Sequence, residues 1–310
     1  MYDIIIVGAG PSGLTAALYA LRSNKKILVL DAKGYGGQIV NSSRVENYPG
    51  MPNVTGFEFA TNLYNQVKEL GLELKIETVL HISEDKIVTT NKDKYEAKTI
   101  IIATGSENRK LNLENESLFI GKGISYCATC DGNFYRNKTV AVVGGGNTAL
   151  EDVLYLSNIA DKVYLIHRRD TFNGEQKYLK EIETKNNVQI VTNSNVKKIN
   201  GTDKIESIDV ADSVNNIKNI KIDGLFIAIG QQPKNEIFSN IVDLNKFGYI
   251  VSEDGVHTRT KGIYVAGDAR EKKLRQLTTA VSDGSIAATT AIKEMNWLKL
   301  FIIYNYVDII

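Results

Sequence analysis

The segment YDIIIVGAGPSGLTAALYALRSNKKILVLD, residues 2–31, decides the fold of the first part of the chain. It opens with a β-branched run that ends in glycine, which is typical of a buried parallel strand. A G-x-G-x-x-G loop, an Ala- and Leu-rich helical stretch and a second strand ending at Asp31 follow. Strand, glycine loop, helix, strand and acid in this order predict a dinucleotide-binding α/β unit.

Each glycine of this loop has a physical reason. Gly8 permits the tight turn, Gly10 lets the backbone approach a pyrophosphate, and Gly13 lets the helix pack closely on the strand. The pyrophosphate sits at the helix N-terminus, where free N–H groups and the helix dipole favour an anion. Asp31 would accept hydrogen bonds from a ribose diol. A tight strand–helix turn without a ligand is the alternative interpretation.

A second copy of the pattern begins near residue 138. Residues 138–143 read as a strand, residues 144–149 are G-x-G-x-x-A, and the strand at 162–166 ends in His167, Arg168 and Arg169. An arginine here accommodates a 2′-phosphate where an acid would bind a free 2′-hydroxyl. The first copy therefore predicts a dinucleotide with a free ribose and the second predicts NADP(H). Two solvated surface charges are the alternative for the arginines.

Two nucleotide units in one chain predict FAD together with NAD(P)H. Three further strand-like segments, 99–103, 223–228 and 262–266, run into glycine-containing turns. The last of them leads to Gly267-Asp268, which puts a carboxylate at a strand end where it can bind a flavin ribityl hydroxyl. A simple strand–turn remains the alternative for this pair.

The composition excludes several classes of protein. A length of 310 residues predicts about two domains, and 37 Lys plus Arg against 36 Asp plus Glu argue against a nucleic-acid binder. Cys127 and Cys130 are the two cysteines, too few for a disulfide framework. Because a structural zinc site needs four ligands and the chain has three distant histidines, no metal is expected. A redox-active dithiol and a pair of bystander thiols stay open.

Targeting signals are not expected. The N-terminus lacks a basic region, and no apolar run reaches the roughly 18 residues that a membrane span needs. The apolar end, residues 298–310, is interpreted as a docked terminal segment rather than as a membrane anchor. The predicted location is a reducing cytoplasm, without a membrane partner.

At this point the chain resembles the low-molecular-weight, bacterial-type thioredoxin reductases, class II of the pyridine nucleotide-disulfide oxidoreductases. The resemblance covers nearly the whole chain, and the Cys pair lies just before the second fingerprint, which is the placement specific to this subfamily and its alkyl-hydroperoxide-reductase relatives. The motifs that carry it are GAGPSG at 8–13, GGQIVNSSRVENYPG at 36–50, ATG at 103–105, CATCDG at 127–132, GGGNTA at 144–149, HRRDTF at 167–172, GD at 267–268 and RQLTTAVSDG at 275–284.

The resemblance implies the architecture. It predicts two Rossmann-like, three-layer ββα-type nucleotide-binding domains in a homodimeric α/β protein. The FAD domain would comprise 1–110 and 240–310, and the NADPH domain, 111–239, would be inserted into it. The family rotates one domain relative to the other, which places hinges near 109–115 and 235–240.

The resemblance also implies the activity, a thioredoxin-disulfide reductase that passes electrons from NADPH through FAD and the dithiol to thioredoxin. Cys130 would face the flavin, Cys127 would attack the partner disulfide, and Asp131 would be the acid–base group, with a cap of the turn into Gly132 as the alternative for Asp131. The implied FAD site comprises Gly8, Gly10, Pro11, Ser12, Gly13, Asp31, Gly37, Gln38, Asn47, Ala103, Thr104, Gly105, Gly267, Asp268, Arg275 and Gln276. The implied NADPH site comprises Gly144, Gly146, Asn147, Thr148, Ala149, His167, Arg168 and Arg169.

Two positions depart from the family pattern. Asn147 stands where the second loop usually has an acid, and Asn173 stands where a third arginine is usual. Losing a guanidinium weakens a phosphate site, although Lys177 is nearby, so a reduced preference for NADPH over NADH is expected. The alternatives are a ferredoxin-dependent flavin thioredoxin reductase, a reductase of another thioredoxin- or glutaredoxin-like partner, and a non-catalytic redox-sensing flavoprotein. The aromatic tail residues, which a ferredoxin-dependent enzyme could use to cover the flavin or the dimer surface, are Trp297, Phe301, Tyr304 and Tyr306.

Overall fold

The computed structural model describes residues 1–42, 44–51, 54–252 and 255–307, with side chains in the last helix as far as residue 296. The chain folds into two units. Unit 1 comprises Met1–Glu107 and Gln232–Ile310, and unit 2 comprises Asn108–Gln231. Unit 2 is therefore inserted into the sequence of unit 1. That unit 1 holds FAD and unit 2 holds NADPH stays a prediction.

Unit 1 is built on a parallel sheet with an antiparallel extension. Its strands are β1 (Tyr2–Val7), β2 (Ile27–Asp31), β3 (Leu74–Ile76), β4 (Val79–Ile82), β5 (Ile87–Thr90), β6 (Lys94–Ile102) and β17 (Ile263–Val265), and its helices are α1 (Pro11–Arg22), α2 (Gly56–Lys68) and α6 (Leu277–Val307). The parallel order is β3-β2-β1-β6-β17, and β4 and β5 continue from β6 in antiparallel pairing.

The core of unit 1 lies on both faces of this sheet, which explains the unbroken apolar run of β1. Ile4 and Ile6 pack toward the helices α1 and α6, and Ile5 and Val7 pack into a second cluster on the other face. A strand buried on both faces needs apolar residues at every position. The predicted α/β class with parallel sheets is confirmed.

Unit 2 repeats the arrangement. Its strands are β8 (Ile124–Ser125), β9 (Thr139–Gly144), β10 (Lys162–Ile166), β11 (Val188–Val191), β12 (Asn195–Gly201), β13 (Ile205–Ala211), β14 (Ile217–Lys221) and β15 (Gly224–Ala228), and its helices are α3 (Ala128–Asp131), α4 (Asn147–Ser157) and α5 (Gln176–Glu183). The parallel order is β11-β10-β9-β15-β8, and β12-β13-β14 form a separate antiparallel sheet. At the two chain crossings, β7 (Glu107–Asn108) pairs with β16 (Gln231–Gln232).

The apolar C-terminal segment continues a helix. The backbone of α6 is helical as far as Val307, and the last three residues lie outside the described chain. The aromatic side chains singled out in this tail, from Trp297 onward, also lie outside the described side chains, so their docking stays a prediction. Among the helices that the structure describes, none is long and apolar enough to cross a membrane.

Candidate active site

The first glycine loop connects β1 to α1, and two of its glycines are required by packing. Gly8 has a φ of +110°, in the region that favours glycine, and a Cβ there would overlap the carbonyl oxygen of Ala103. A Cβ on Gly13 would overlap the carbonyl oxygen of Gly8. The loop therefore lies directly against the end of β6, the strand that leads into Thr104 and Gly105.

Gly10, the middle glycine of this loop, differs from Gly8 and Gly13, because a side chain at Gly10 would enter open space. A Cβ on Gly10 would meet only the Cα of Gly37, at 3.8 Å. Pro11 begins α1 next to this opening, and the backbone N–H groups of the first turn have no carbonyl partner within the helix. The buried Ser12 hydroxyl has no hydrogen-bond partner among the described residues. A glycine-lined opening, free amides and an unpartnered hydroxyl fit the diphosphate of a dinucleotide.

Asp31 holds the loop as well as ending its strand. Its Oδ2 accepts a hydrogen bond from the Ala9 amide at 2.8 Å, and its Oδ1 accepts from the amides of Lys33 at 2.7 Å and Gly34 at 3.1 Å. A carboxylate offers about four acceptor positions. Asp31 can therefore still accept hydrogen bonds from a ribose diol while it ties the glycine loop to the end of β2.

The Gly267-Asp268 element meets the first fingerprint within unit 1. Gly267 follows β17 with a φ of +73°, and a Cβ there would lie 2.8 Å from the Cβ of Ser12. Asp268 forms an ion pair with Lys272 at 3.0 Å. The structure thus brings together two predicted flavin elements from the beginning and the end of the chain.

An ionic cluster that the sequence interpretation missed supports this element. Asp283, only 5% exposed, accepts a hydrogen bond from the Gly267 amide at 3.1 Å and from Arg270 Nε at 2.9 Å. Lys272 Nζ lies 3.1 Å from the same carboxylate. The signal was available, since Asp283 lies in the RQLTTAVSDG motif, but nothing in its local pattern separates it from a surface residue.

The other residues assigned to the flavin from the resemblance lie in the same unit. Asn47 Nδ2 donates to Gln276 Oε1 at 3.0 Å, and the Arg275 guanidinium lies 3.9 Å from the centre of the Tyr249 ring. Gln38 Oε1 accepts a bond from Asn41 Nδ2 at 3.4 Å in the short 3₁₀ helix that begins at Gly37.

A buried amide fixes the strand ends next to these residues. Asn235 is fully buried and donates to the carbonyl oxygen of Ala269 at 2.9 Å, while its Oδ1 accepts from the hydroxyl of Thr104 at 3.2 Å. Asn235 was not predicted, because an asparagine between Lys and Glu reads as a surface residue.

The two cysteines form a disulfide at the start of α3 in unit 2. Both are half-buried, whereas Ala128 between them is fully buried and Thr129 is exposed. The segment therefore anchors itself in the core through Ala128 and leaves the disulfide accessible from one side.

Asp131 is linked to this disulfide segment by hydrogen bonds through a serine that the sequence interpretation missed. The Ser125 hydroxyl donates to Asp131 Oδ2 at 2.6 Å, and the Cys127 amide donates to the Ser125 oxygen at 3.1 Å. The alternative role of Asp131, a side-chain cap of the following turn, is not seen. Tyr135 lies in the field of the same carboxylate: burial first, then Asp131 and Asp223, raise the pKa of Tyr135 to about 12.

In the second glycine loop, His167 has a packing role. A Cβ on Gly145 would overlap the His167 ring, which stacks on Phe172 with 4.8 Å between centroids, and Nε2 lies 3.0 Å from the Thr171 carbonyl oxygen. Burial lowers the pKa of His167, and the positive charges of Arg168 and Arg169 add to this effect. The neutral ring therefore shapes the loop, and its predicted contact with NADPH stays a prediction.

Gly146 repeats the open position of Gly10, since a Cβ there meets no described heavy atom within 4 Å. Asn147, which starts α4, accepts a hydrogen bond from the Glu175 amide at 2.7 Å and donates to the Glu175 carboxylate at 3.2 Å. Through these two hydrogen bonds, Asn147 holds the segment that follows Arg169. Thr148, Arg168 and Arg169 are exposed, while Gly144 and Ala149 pack together in the core.

Comparisons with known proteins place the whole chain in a family. The family model described as pyridine nucleotide-disulphide oxidoreductase matches residues 2–284. The thioredoxin reductase of Treponema pallidum is 40% identical over 96% of this chain and 98% of its own, and that of Listeria monocytogenes is 39% identical over 96% and 95%. The crystal structure of thioredoxin reductase from Streptococcus pyogenes superposes with a TM-score of 0.91 at 36% identity, covering 96% of this chain and 98% of that one.

Proposed function

The chain belongs to the pyridine nucleotide-disulphide oxidoreductase family, and we propose on that premise that it is a thioredoxin-disulfide reductase. The observation that carries the proposal is the half-buried Cys127–Cys130 disulfide beside the paired Ser125 and Asp131, in the same unit as a nucleotide-type glycine loop. Relatives named thioredoxin reductase, similar along nearly the full length of the chain, support it.

FAD is the proposed resident cofactor of unit 1. Gly10, Ser12 and the first turn of α1 would hold its diphosphate, Asp31 would hold its ribose, and Asp268 would hold its ribityl chain. Bound FAD would supply two-electron carriage between a reduced nicotinamide and the disulfide. The protein's part is orientation: Asp31 and Asp283 fix the two loops through backbone amides.

NADPH is the proposed electron donor, bound by unit 2. The open backbone at Gly146 would lie against its diphosphate, and the exposed Arg168 and Arg169 would pair with its 2′-phosphate. Both features support NADPH over the ferredoxin-dependent alternative, which has no use for either. Asn147 is committed to Glu175, so it orders the loop without adding charge to the phosphate site.

The dithiol that results from reduction would act on thioredoxin by thiol–disulfide exchange. Cys127, as the thiolate, attacks one sulfur of the partner disulfide and displaces the other as a thiolate. Cys130 then attacks Cys127 in the mixed disulfide, which releases the second partner thiolate and re-forms the Cys127–Cys130 disulfide. Asp131, held by the Ser125 hydroxyl, moves the proton between Cys130 and the leaving sulfur.

We place this cycle in the cytoplasm, where a reducing compartment suits a catalytic disulfide, and we propose a homodimer by resemblance to the family. The test is reduction of DTNB by the purified flavoprotein with NADPH, with and without thioredoxin. Cys127→Ser and Cys130→Ser should each abolish thioredoxin-dependent reduction, whereas Thr129→Ser, which keeps both sulfurs, should retain it. Thioredoxin turnover by Cys130→Ser would refute the dithiol assignment.

A further inference from the structure

A buried carboxyl group lies close to the point where the chain enters unit 2. Glu116 begins a short 3₁₀ helix (Glu116–Phe119) and is only 2% exposed. Leu113 and Phe119, on either side of it in the sequence, pack in or against the apolar core of this unit. Because burying a carboxylate is costly unless hydrogen-bond donors surround it, the contacts of Glu116 show what it holds together.

Backbone amides fix the Glu116 carboxylate in place. Oε1 accepts a hydrogen bond from the Leu111 amide at 3.1 Å, and Oε2 accepts from the Leu113 amide at 3.3 Å. The Glu116 amide donates in turn to the Leu113 carbonyl oxygen at 3.2 Å. The Arg109 amide donates to the Gly230 carbonyl oxygen at 3.0 Å. The carboxylate is therefore held by an entry segment that is itself bonded to the end of unit 2.

A further donor to this carboxylate is the side chain that precedes the redox disulfide. The Tyr126 hydroxyl donates to Glu116 Oε1 at 3.0 Å, and Tyr126 is half-buried and packs against the core of unit 2. Burial first, then the negative charge of Glu116, raise the pKa of Tyr126, so the phenol keeps its proton and donates. Tyr126 therefore links a fixed carboxylate to Cys127, the next residue of the chain.

Both residues that precede Cys127 have such an anchor. The Ser125 hydroxyl donates to Asp131 Oδ2 at 2.6 Å and accepts from the Cys127 amide at 3.1 Å. The Tyr126 hydroxyl is bonded to Glu116. The first anchor belongs to the proposed acid–base group. The second reaches outside the disulfide segment, to the chain that enters unit 2.

We propose that Glu116 is a positioning residue of the redox pair, which acts through the Tyr126 hydroxyl to keep Cys127 within reach of Cys130. The inference rests on the proposed function in taking these two cysteines as the reacting pair. A disulfide is favoured over its dithiol when the fold holds the two sulfurs together. Since the bonds of Glu116 accompany the closed disulfide, their loss favours the dithiol and slows the attack of Cys130 on Cys127.

The first experiment measures the equilibrium of the oxidised flavoprotein with dithiothreitol. Dithiothreitol closes to its cyclic disulfide as two electrons and two protons pass to Cys127 and Cys130, and alkylation with a mass shift counts the new thiols. Tyr126→Phe, which keeps the ring and removes the donor, should move the equilibrium about fivefold toward the dithiol. Glu116→Gln leaves one acceptor oxygen for the same donors and should move it at least as far. The double variant should move it no further than Glu116→Gln alone.

A matched pair in unit 1 provides the control. The Tyr95 hydroxyl donates to Glu77 Oε1 at 3.0 Å, and these two residues are also buried, 9% and 7% exposed. Tyr95→Phe removes the same kind of hydrogen bond, so its equilibrium with dithiothreitol should match that of the wild type. An equilibrium that stays at the wild-type value in Tyr126→Phe, or that moves equally in Tyr95→Phe, would overturn the proposal.

Kinetics with thioredoxin give a second readout. In Tyr126→Phe, the rate at which the pre-reduced enzyme reduces thioredoxin in a single turnover should fall about fivefold, because Cys130 closes the disulfide more slowly. The half-saturating thioredoxin concentration and the rate of flavin reduction by NADPH should stay unchanged. An equal fall in flavin reduction would show a general structural effect and contradict the proposal. The dithiothreitol assay contains neither thioredoxin nor NADPH, so failure of the proposed function would appear separately, as a lack of thioredoxin turnover in the wild type.

Discussion

Asn47 and Gln276 are 229 positions apart in the sequence, yet their side-chain amides are joined by a hydrogen bond of 3.0 Å. Both were assigned to the flavin surface from resemblance alone. We expect single changes Asn47→Ala and Gln276→Ala each to weaken FAD retention, and the double variant to lose less than the sum. The coupling should be about 0.5–1 kcal/mol, because the bond is made only once. FAD dissociation constants of the four proteins measure it, and strict additivity would show that the pair does not act together.

Gly146 and Gly145 are neighbours with opposite requirements. Gly146→Ala places a methyl group in space that no described atom occupies, so the thermal midpoint should stay unchanged while the KM for NADPH rises about tenfold or more. Gly145→Ala drives a methyl group into the buried His167 ring and should lower the thermal midpoint. Steady-state kinetics and thermal unfolding separate the two effects. An unchanged KM in Gly146→Ala would argue against a diphosphate at this turn.

Donor choice should depend on the two arginines at the end of β10. Arg168→Ala and Arg169→Ala should each reduce kcat/KM for NADPH about tenfold and leave that for NADH nearly unchanged, because only NADPH carries the 2′-phosphate. Lys185→Ala, which removes a half-buried cation elsewhere in unit 2, serves as the control. Equal losses with both donors would show that the arginines do not read the phosphate.

Asp283 should matter more for stability than an exposed acid in a similar pair. The side chains of Arg270, Lys272 and Asp283 are 18%, 6% and 7% exposed, so Asp283→Asn leaves Arg270 without its anion and leaves Lys272 with Asp268 alone. We expect a loss of about 3 kcal/mol in unfolding free energy, with reduced FAD retention. The control Asp243→Asn breaks an ion pair whose partners are 57% and 44% exposed and should cost under about 1 kcal/mol. Urea unfolding of the two variants and the wild type measures both losses of unfolding free energy.

Stability should depend on pH through Asp152, a carboxyl group on the buried face of α4 that is only 8% exposed, because burial first and then the negative charge of Glu151 raise its pKa. Its pKa rises from 3.8 to about 7 in the folded protein, so the folded state binds a proton more tightly than the unfolded state. The resulting stabilisation is complete below about pH 4 and is lost as pH rises through about 7, by an amount near 4 kcal/mol. Relative to Asp152→Asn, the wild type should therefore lose stability between pH 5 and pH 8. Parallel pH–stability curves for the two proteins would contradict the raised pKa.

Short-range sequence patterns predicted the parallel strands of the fold but not its antiparallel strands. The strands β1, β2, β9 and β10 were readable because strands buried on both faces are continuous apolar runs. The antiparallel strands were not, since β12 (NVKKING) and β14 (IKNIK) bury one face and fill the other with lysines and asparagines. Such alternation is short and resembles a polar loop.

The candidate site divides in the same way. The glycine loops and the Cys pair stand out by spacing, whereas Ser125 and Asp283 act through contacts made only in the folded chain. A buried acid on a helix looks like a surface acid until its neighbours are known. Asn147 is a further case: the sequence marks it as a departure from the family, and only the structure shows its bonds to Glu175.

The pairing at the chain crossings brings the two ends of unit 2 together. The Arg109 amide donates to the Gly230 carbonyl oxygen at 3.0 Å, and Gln231 Nε2 donates to Asn108 Oδ1 at 3.1 Å. The two ends of the inserted segment are thus neighbours, and segments whose ends lie close together tolerate insertion into another chain. Unit 2 could therefore be circularly permuted, or exchanged for the corresponding segment of a relative, by joining the chains at these two neighbouring crossings.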